Sequence, residues 1–215
     1  MRVLLTGASG LLGAHTTRAL CDAGHSVRAL VRDLEKAERV LARLGVTSAE
    51  LVRGDVTDRL GVRAALAGCD AVVHAAALPS LGPRDRERVM RTNVRGAEHV
   101  LESACDAGLD PVVHISSVAA LFPPAGARIT SEDEVGHPRD SYAASKAAAE
   151  RVARALQAKG FPVVIFYPGQ LVGPFDPTVE AGVRFLITYL ERGVIAQSPS
   201  GMPLVDARDV ARAIA

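Results

Sequence analysis

Six short apolar runs punctuate the chain, at Val3–Thr6, Ser26–Val31, Glu50–Arg53, Ala71–His74, Val112–Ser116 and Pro162–Tyr167. Most are apolar at consecutive positions instead of alternate ones. A strand covered on both faces reads this way, so the pattern predicts a parallel sheet between helix layers. Stretches with helical spacing separate the runs. Gly24, Gly45, Gly68, Gly108 and Gly160 each stand between a helical stretch and the next strand, where a residue at positive φ commonly ends a helix. The repeated β-α order, with right-handed crossovers, predicts an α/β fold with the doubly wound strand order 3-2-1-4-5-6, a Rossmann-type dinucleotide-binding domain over 1–167. After Tyr167, prolines and glycines become frequent. A helix is expected over 179–192, then a Pro/Gly-rich loop leading to Leu204–Asp206 and the start of another helix over 208–215, forming a partial substrate-binding lobe with returning elements over 168–215.

Composition narrows the partners. Formal net charge is +1 with no long run of one sign, so a nucleic-acid partner has no support. No apolar stretch is long enough to span a bilayer, and polar Thr6, Gly7, Ser9 and Gly10 interrupt any signal-like start, so a cytoplasmic protein is expected. Cys21, Cys69 and Cys105 form no C-x-x-C pair and are expected to be buried thiols in a reducing compartment. The six histidines make no metal-ligand cluster, so no metal is expected. Only three lysines occur, Lys36, Lys146 and Lys159, which makes a lysine in a motif informative.

In doubly wound sheets, ligands bind beyond the carboxyl ends of the strands. The first such turn, Thr6-Gly7-Ala8-Ser9-Gly10-Leu11-Leu12-Gly13, opens a helix. Its glycines permit a tight turn and close backbone approach, and a helix N-terminus favours a pyrophosphate. The spacing is G-x-x-G-x-x-G. At the tip of the second strand, Arg32 precedes Asp33. An acid there would bind the ribose hydroxyls of NAD, whereas an arginine neutralises the 2′-phosphate of NADP, so NADP(H) is favoured over NAD(H). The competing reading is a solvated Arg32 beside a helix-capping Asp33. Asp55, beside Val56, either accepts from the adenine amino group or serves a turn.

Tyr142 and Lys146 are four apart at the start of an Ala-rich helical stretch and so share a face. An ammonium near a phenol favours the phenolate and tunes Tyr142 as a general acid/base. Ser117, after the fifth strand, is placed to donate to a substrate oxygen. Lys146 is also placed to bond the nicotinamide ribose. Asn93 lies at near-helical spacing with Val89, Gly96, Ala97, Val100 and Ala104, so it points into the apolar face and needs partners there. A proton-relay role and a purely structural one both fit.

With these residues in place, the chain resembles the extended short-chain dehydrogenase/reductase family. The matching segments are TGASGLLG at 6–13, GDV at 54–56, HAAA at 74–77, TNVRGAEHV at 92–100, HISS at 114–117, YAASK at 142–146, YPGQLVGP at 167–174 and VDARDVARA at 205–213. VRALVRD at 27–33 is similar to the NADP-preferring, dihydroflavonol-reductase-like branch. The resemblance implies Ser117, Tyr142 and Lys146 as the catalytic triad, with Asn93 supporting. It implies a cofactor lined by Gly7, Ser9, Gly10, Leu11, Leu12, Gly13, Arg32, Asp55, Val56, Ala75, Ala76, Ala77, Ser116, Tyr142, Lys146, Pro168, Gly169 and Leu171. The family often has arginine where Tyr167 stands, and its members are longer.

Three functions compete. The leading one is an NADP(H)-dependent oxidoreductase that reduces a ketone or aldehyde, or oxidises a secondary alcohol, on a small, mainly apolar substrate. The second is a sugar-nucleotide epimerase with tightly held NAD. The third is a catalytically silent NADP sensor, against which the intact Ser117, Tyr142 and Lys146 argue. Val118-Ala119-Ala120 after Ser117 disfavour a dehydratase, which would carry acids there. Leu78–Leu81, Phe122–Pro124 and Gln170–Phe175 are the pocket candidates, and a homodimer through 84–107 and 142–159 is an expectation of the resemblance.

Overall fold

The computed structural model describes residues 1–79, 83–124, 126, 128–179, 181–193, 201 and 203–215. Its centre is a six-stranded sheet, β1 (Arg2–Thr6), β2 (Ser26–Val31), β3 (Glu50–Arg53), β4 (Ala71–His74), β5 (Val112–Ile115) and β6 (Val163–Phe166). The order is β3-β2-β1-β4-β5-β6, as the pattern predicts, and every pair is parallel. Ser116, Pro162 and Tyr167, expected at strand ends, fall just outside the ladder.

The consecutive apolar residues are explained by two cores. On one face, Leu4, Val72, Val112 and Val163 pack against α3 (Arg59–Leu66), the stretch α4 (Arg86–Met90) to α5 (Ser103–Asp106), and α6 (Ser141–Ala158). On the other, Leu5, Ala29, Val73, Val113 and Ile115 pack against α1 (Leu11–Asp22), α2 (Leu34–Arg43) and α8 (Ala207–Ile214). Successive side chains of a strand point to opposite faces, so each strand needs apolar residues at every position. Burial of one such Val or Leu contributes about 1.5–3 kcal/mol.

The five inter-element glycines all have φ between +71° and +85°. A side chain resists that region, which is why one residue type recurs at these helix ends. The stretch from α4 to α5 departs from regular helix: Arg91–Arg95 and Glu98–Glu102 form wide π-type turns. Even so, Val89, Asn93, Gly96, Ala97, Val100 and Ala104 are all buried, as their spacing suggests.

Beyond β6, β7 (Gln170–Val172) and β8 (Leu204–Asp206) form a small parallel pair, and α8 packs against α1. The helix expected over 179–192 is observed as α7 (Ala181–Arg192). Val179 precedes it at φ +43°, and Glu180 lies outside the described residues, as does most of the loop before β8. The three cysteines are free, but only Cys105 is fully buried. Cys21, on α1, and Cys69, in the turn between α3 and β4, are half-buried, which corrects the expectation for those two.

Candidate active site

The glycine turn follows β1. Gly7 has φ +86°, and a Cβ there would lie 2.7 Å from the backbone of Ala75. A Cβ on Gly13 would lie 2.1 Å from the Gly7 carbonyl oxygen. These two glycines therefore let three backbone segments meet. Gly10 is different, because an added Cβ would meet only the Gly7 carbonyl at 3.4 Å. Gly10 opens α1 with no side-chain cap and no acid in the first turn. The first-turn N–H groups, including those of Leu11, Leu12 and Gly13, therefore have no capping side chain and suit an anion. The Leu12 side chain itself points into the core.

At the tip of β2, Asp33 caps α2 by accepting from the Lys36 N–H at 2.9 Å. Arg32 is exposed, with no hydrogen bond or ion pair among the described residues. Asp55 accepts from both the N–H and the hydroxyl of Thr57, at 2.8 and 2.9 Å, through one oxygen. Val56 is buried against Gly96. After β4, Ala75 N–H bonds the Thr6 carbonyl at 3.2 Å and Ala76 N–H bonds the Thr6 hydroxyl at 3.2 Å; Ala77 is exposed.

Asp140 sets the start of α6 by accepting from the Ala143 N–H at 2.8 Å, which puts Tyr142 in the first turn, half-buried. One turn on, Lys146 is 5% exposed and its Nζ donates to the Ile115 carbonyl at 2.6 Å. Helix α6 is thereby tied to the carboxyl end of β5. Ser117 lies two residues beyond that carbonyl, half-buried, where its Oγ accepts from the Ala119 N–H at 3.2 Å. Its own proton has no acceptor among the described residues. Ser116 is buried, and its hydroxyl has no partner among them. The Lys146 bond thus ties the start of α6, which carries Tyr142, to the carboxyl end of β5, just beyond which Ser117 lies.

Asn93 does not bond Lys146. Its Oδ1 accepts from the Leu78 N–H at 2.7 Å, and its Nδ2 donates to the Leu78 carbonyl at 3.2 Å and to Ser145 Oγ at 2.8 Å. Ser145 Oγ donates in turn to the Tyr142 carbonyl at 2.7 Å. The amide therefore joins the turn after β4 to the first turn of α6.

Burial pushes the Lys146 ammonium down to about 8, while the Glu150 carboxylate pulls the other way. Beneath it lie two imidazoles that sequence reasoning passed over. His74 and His114 stack with centroids 5.7 Å apart, and His74 Nδ1 bonds Thr6 Oγ1 at 2.8 Å. Burial, then the Lys146 charge, pushes His74 down to about 3 and His114 well below its ordinary value. Both are neutral at physiological pH.

Tyr167, the departure from the family pattern, donates to Glu150 Oε1 and accepts from Arg154 at 3.0 Å. Its phenol is pushed up to about 12 by burial and by Glu150. Glu150 was legible as a further step of the Tyr142–Lys146 spacing. Pro168 is buried, and its carbonyl accepts from the Val118 N–H at 3.2 Å. A Cβ on Gly169 would lie 2.4 Å from the Pro203 carbonyl, and Leu171 packs in the α1-side core. Those contacts are structural. Of the pocket candidates, Ser80 and Leu81 lie outside the described residues, whereas Phe122 and Phe175 are exposed. Two cavities, of about 610 and 620 Å³, lie away from Tyr142, one beside Arg154 and Tyr167, the other between α1 and α8.

Fold and glycine turn together define a Rossmann-type domain. The chain belongs to the NAD dependent epimerase/dehydratase family, whose model matches residues 3–215. This bears out the resemblance to extended short-chain dehydrogenases/reductases. A putative dihydroflavonol 4-reductase of Synechocystis is 33% identical over 210 residues, covering 96% of this chain and 60% of the relative. A 4-hydroxy-2-methyl-3-oxo-4-farnesyl-3,4-dihydroquinoline-1-oxide ketoreductase of Stigmatella aurantiaca is 39% identical over 181 residues, covering 82% of this chain and 52% of the relative. Among solved structures, the dTDP-glucose 4,6-dehydratase DesIV of Streptomyces venezuelae, with NAD bound, matches at TM-score 0.81 and 28% identity, covering 100% of this chain and 70% of that one. The chain thus spans three-fifths and about half the length of the two curated relatives.

Proposed function

We propose that the chain is the dinucleotide-binding part of an NADP(H)-dependent oxidoreductase, reducing a ketone or aldehyde, or oxidising a secondary alcohol, on a small, mainly apolar substrate. Residues 168–215 would begin its substrate lobe. The observation that carries this reading is the anchoring of buried Lys146 on the Ile115 carbonyl, one turn from Tyr142 and beside the free Ser117 proton.

The glycine turn fits a dinucleotide, because the first turn of α1 offers uncapped N–H groups and Gly10 leaves room above them. Arg32 is available for a 2′-phosphate, while Asp33 is committed to its helix cap. When bound, the nicotinamide supplies or takes up the hydride at the substrate carbon. Ser117 donates to the substrate oxygen and fixes it. Tyr142 exchanges the proton with that oxygen, and the Lys146 ammonium favours the phenolate that remains. Asn93, through Ser145 and Leu78, holds the walls of this site in register.

The relatives named as reductases support the redox reading. DesIV is a dehydratase, but Val118-Ala119-Ala120 here supply no acid beside Ser117. The test is NADPH oxidation with a panel of small carbonyls. Turnover in the wild type, and a loss of about a hundredfold or more in Tyr142→Phe with cofactor affinity retained, is expected. Copurified NAD with interconversion of nucleotide sugars and no net oxidation would establish the epimerase instead.

A further inference from the structure

Tyr142, Lys146, Glu150 and Arg154 follow one another at four-residue steps along α6 and so lie along one side of it. Glu150 is 0% exposed, and an ionised carboxylate at such a depth requires compensation. Its Oε1 receives it twice, from Arg154 Nε at 2.8 Å and from the Tyr167 hydroxyl. Arg154 is held in turn by the carbonyls of Asp133 at 2.8 Å and Ser131 at 3.1 Å. Glu150 Oε2 makes no hydrogen bond among the described residues. A staple for the 131–133 loop would need only the exposed end of Arg154. It gives no reason to sink a carboxylate beneath the lysine.

The surroundings of Lys146 supply a reason. The titratable groups that face this part of α6 are His74 from β4, His114 from β5, Tyr167 after β6, and Tyr142, Glu150 and Arg154 on the helix itself, with Glu132 in the loop beside Arg154. The two imidazoles are neutral, and Tyr167 keeps its proton. Among the described residues of the set, Glu150 is the buried carboxylate, whereas Glu132 is exposed. Arg154 opposes it, but it sits two turns from Lys146 and its side chain is 26% exposed, where solvent screens its charge.

We propose that Glu150 is a positioning residue for Lys146: a buried carboxylate, clamped by Arg154 and Tyr167, whose charge keeps the ammonium protonated against the Ile115 carbonyl. The proposal takes its catalytic meaning from the oxidoreductase reading, since a protonated Lys146 is what favours the Tyr142 phenolate. Burial of Lys146 works against that state, and Glu150 acts in the opposite direction. Two charges a helical turn apart in a low-dielectric interior interact far more strongly than the same pair in water.

The test needs no substrate. With only three lysines in the chain, ¹³C-lysine labelling gives three Cε signals, and loss of one in Lys146→Arg assigns it. The wild-type midpoint for Lys146 is expected at about 8. In Glu150→Gln it should fall by about one unit or more, and in Glu150→Asp by less, with Lys36 and Lys159 unmoved. The alkaline limb of NADPH-dependent turnover should move down with it. A folded Glu150→Gln within about 0.3 units of wild type, or Gln and Asp variants that titrate alike, overturns the proposal. If Glu150→Gln does not fold, Glu150→Asp decides alone, because an unshifted midpoint there also overturns it. A chain that shows the shift but turns over no carbonyl keeps this proposal and loses the oxidoreductase reading.

Discussion

The side-chain amide of Asn93 holds both backbone groups of Leu78, accepting from its N–H at 2.7 Å and donating to its carbonyl at 3.2 Å. The same amide donates to Ser145 on α6 at 2.8 Å. A wide π-type turn in the helical stretch between β4 and β5 therefore sets the distance between the turn after β4 and the start of α6. Those are the two segments that flank the proposed reacting carbon.

Replacing Asn93 by Ala leaves Leu78 N–H and carbonyl without these partners in a half-buried setting. A loss of about 2–3 kcal/mol in denaturant stability is expected. Turnover should fall further than stability predicts, because Tyr142 loses its register through Ser145. Equal stability of Asn93→Ala and wild type in urea titration would show that the amide clamp carries no weight.

The glycine turn makes a graded prediction. Gly13→Ala would place a Cβ 2.1 Å from the Gly7 carbonyl, so the helix must move off the loop. A cost of about 1–3 kcal/mol and a tenfold or greater loss of NADPH affinity are expected. Gly10→Ala meets only the 3.4 Å contact, so its folding cost should stay below about 1 kcal/mol while affinity still drops. Calorimetric titration beside thermal melts separates the two effects. Indistinguishable folding costs would contradict the geometry.

At the tip of β2, Arg32 has no partner among the described residues. Arg32→Glu is expected to weaken NADPH binding by about tenfold or more and NADH binding by much less, as a lost phosphate contact requires. Fluorescence titration of both cofactors measures it. Parallel losses for the two would assign Arg32 to general folding and remove the ground for an NADP preference.

Buried titratable groups give the stability curve its shape. His74 is lowered to about 3 and His114 is lowered as well, so the unfolded chain binds protons that the folded chain refuses. The stability they support is present above about pH 6.5 and is lost as pH falls toward the folded values, by up to about 1.4 kcal/mol per pH unit for each imidazole. Lys146, lowered to about 8, adds the alkaline counterpart: stability rises between about pH 8 and 10.5 as the cost of burying an ammonium disappears. Lys146→Met should abolish that rise while eliminating turnover. A flat denaturation midpoint from pH 4 to 7 would show that the histidines are not held neutral.

Much of this molecule was legible before folding. Apolar runs with Gly at helix ends indicate six parallel strands, because a strand buried on both faces needs apolar residues at consecutive positions, and right-handed crossovers then restrict their order. The spacing of Tyr142 and Lys146 determines that they share a helix face, and Asp140 fixes where that helix starts. Those are local relations, set by backbone period and capping. Local reasoning went less far where a side chain had two uses. Asp33 was either a ribose ligand or a helix cap, and only the position of Lys36 N–H, once α2 had formed, gave the capping contact.

The tertiary structure alone decided the partners that lie far apart in the chain. Asn93 reaches Leu78 and Ser145, Lys146 reaches Ile115, and Tyr167 reaches Glu150 across the sheet edge. No periodicity encodes those pairs, since each depends on sheet register and on how α6 settles against β5 and β6. Burial, too, belongs to the assembled layers. The depth that lowers Lys146 and silences His74 and His114 exists only once helices cover that face, when water with its high dielectric has been excluded.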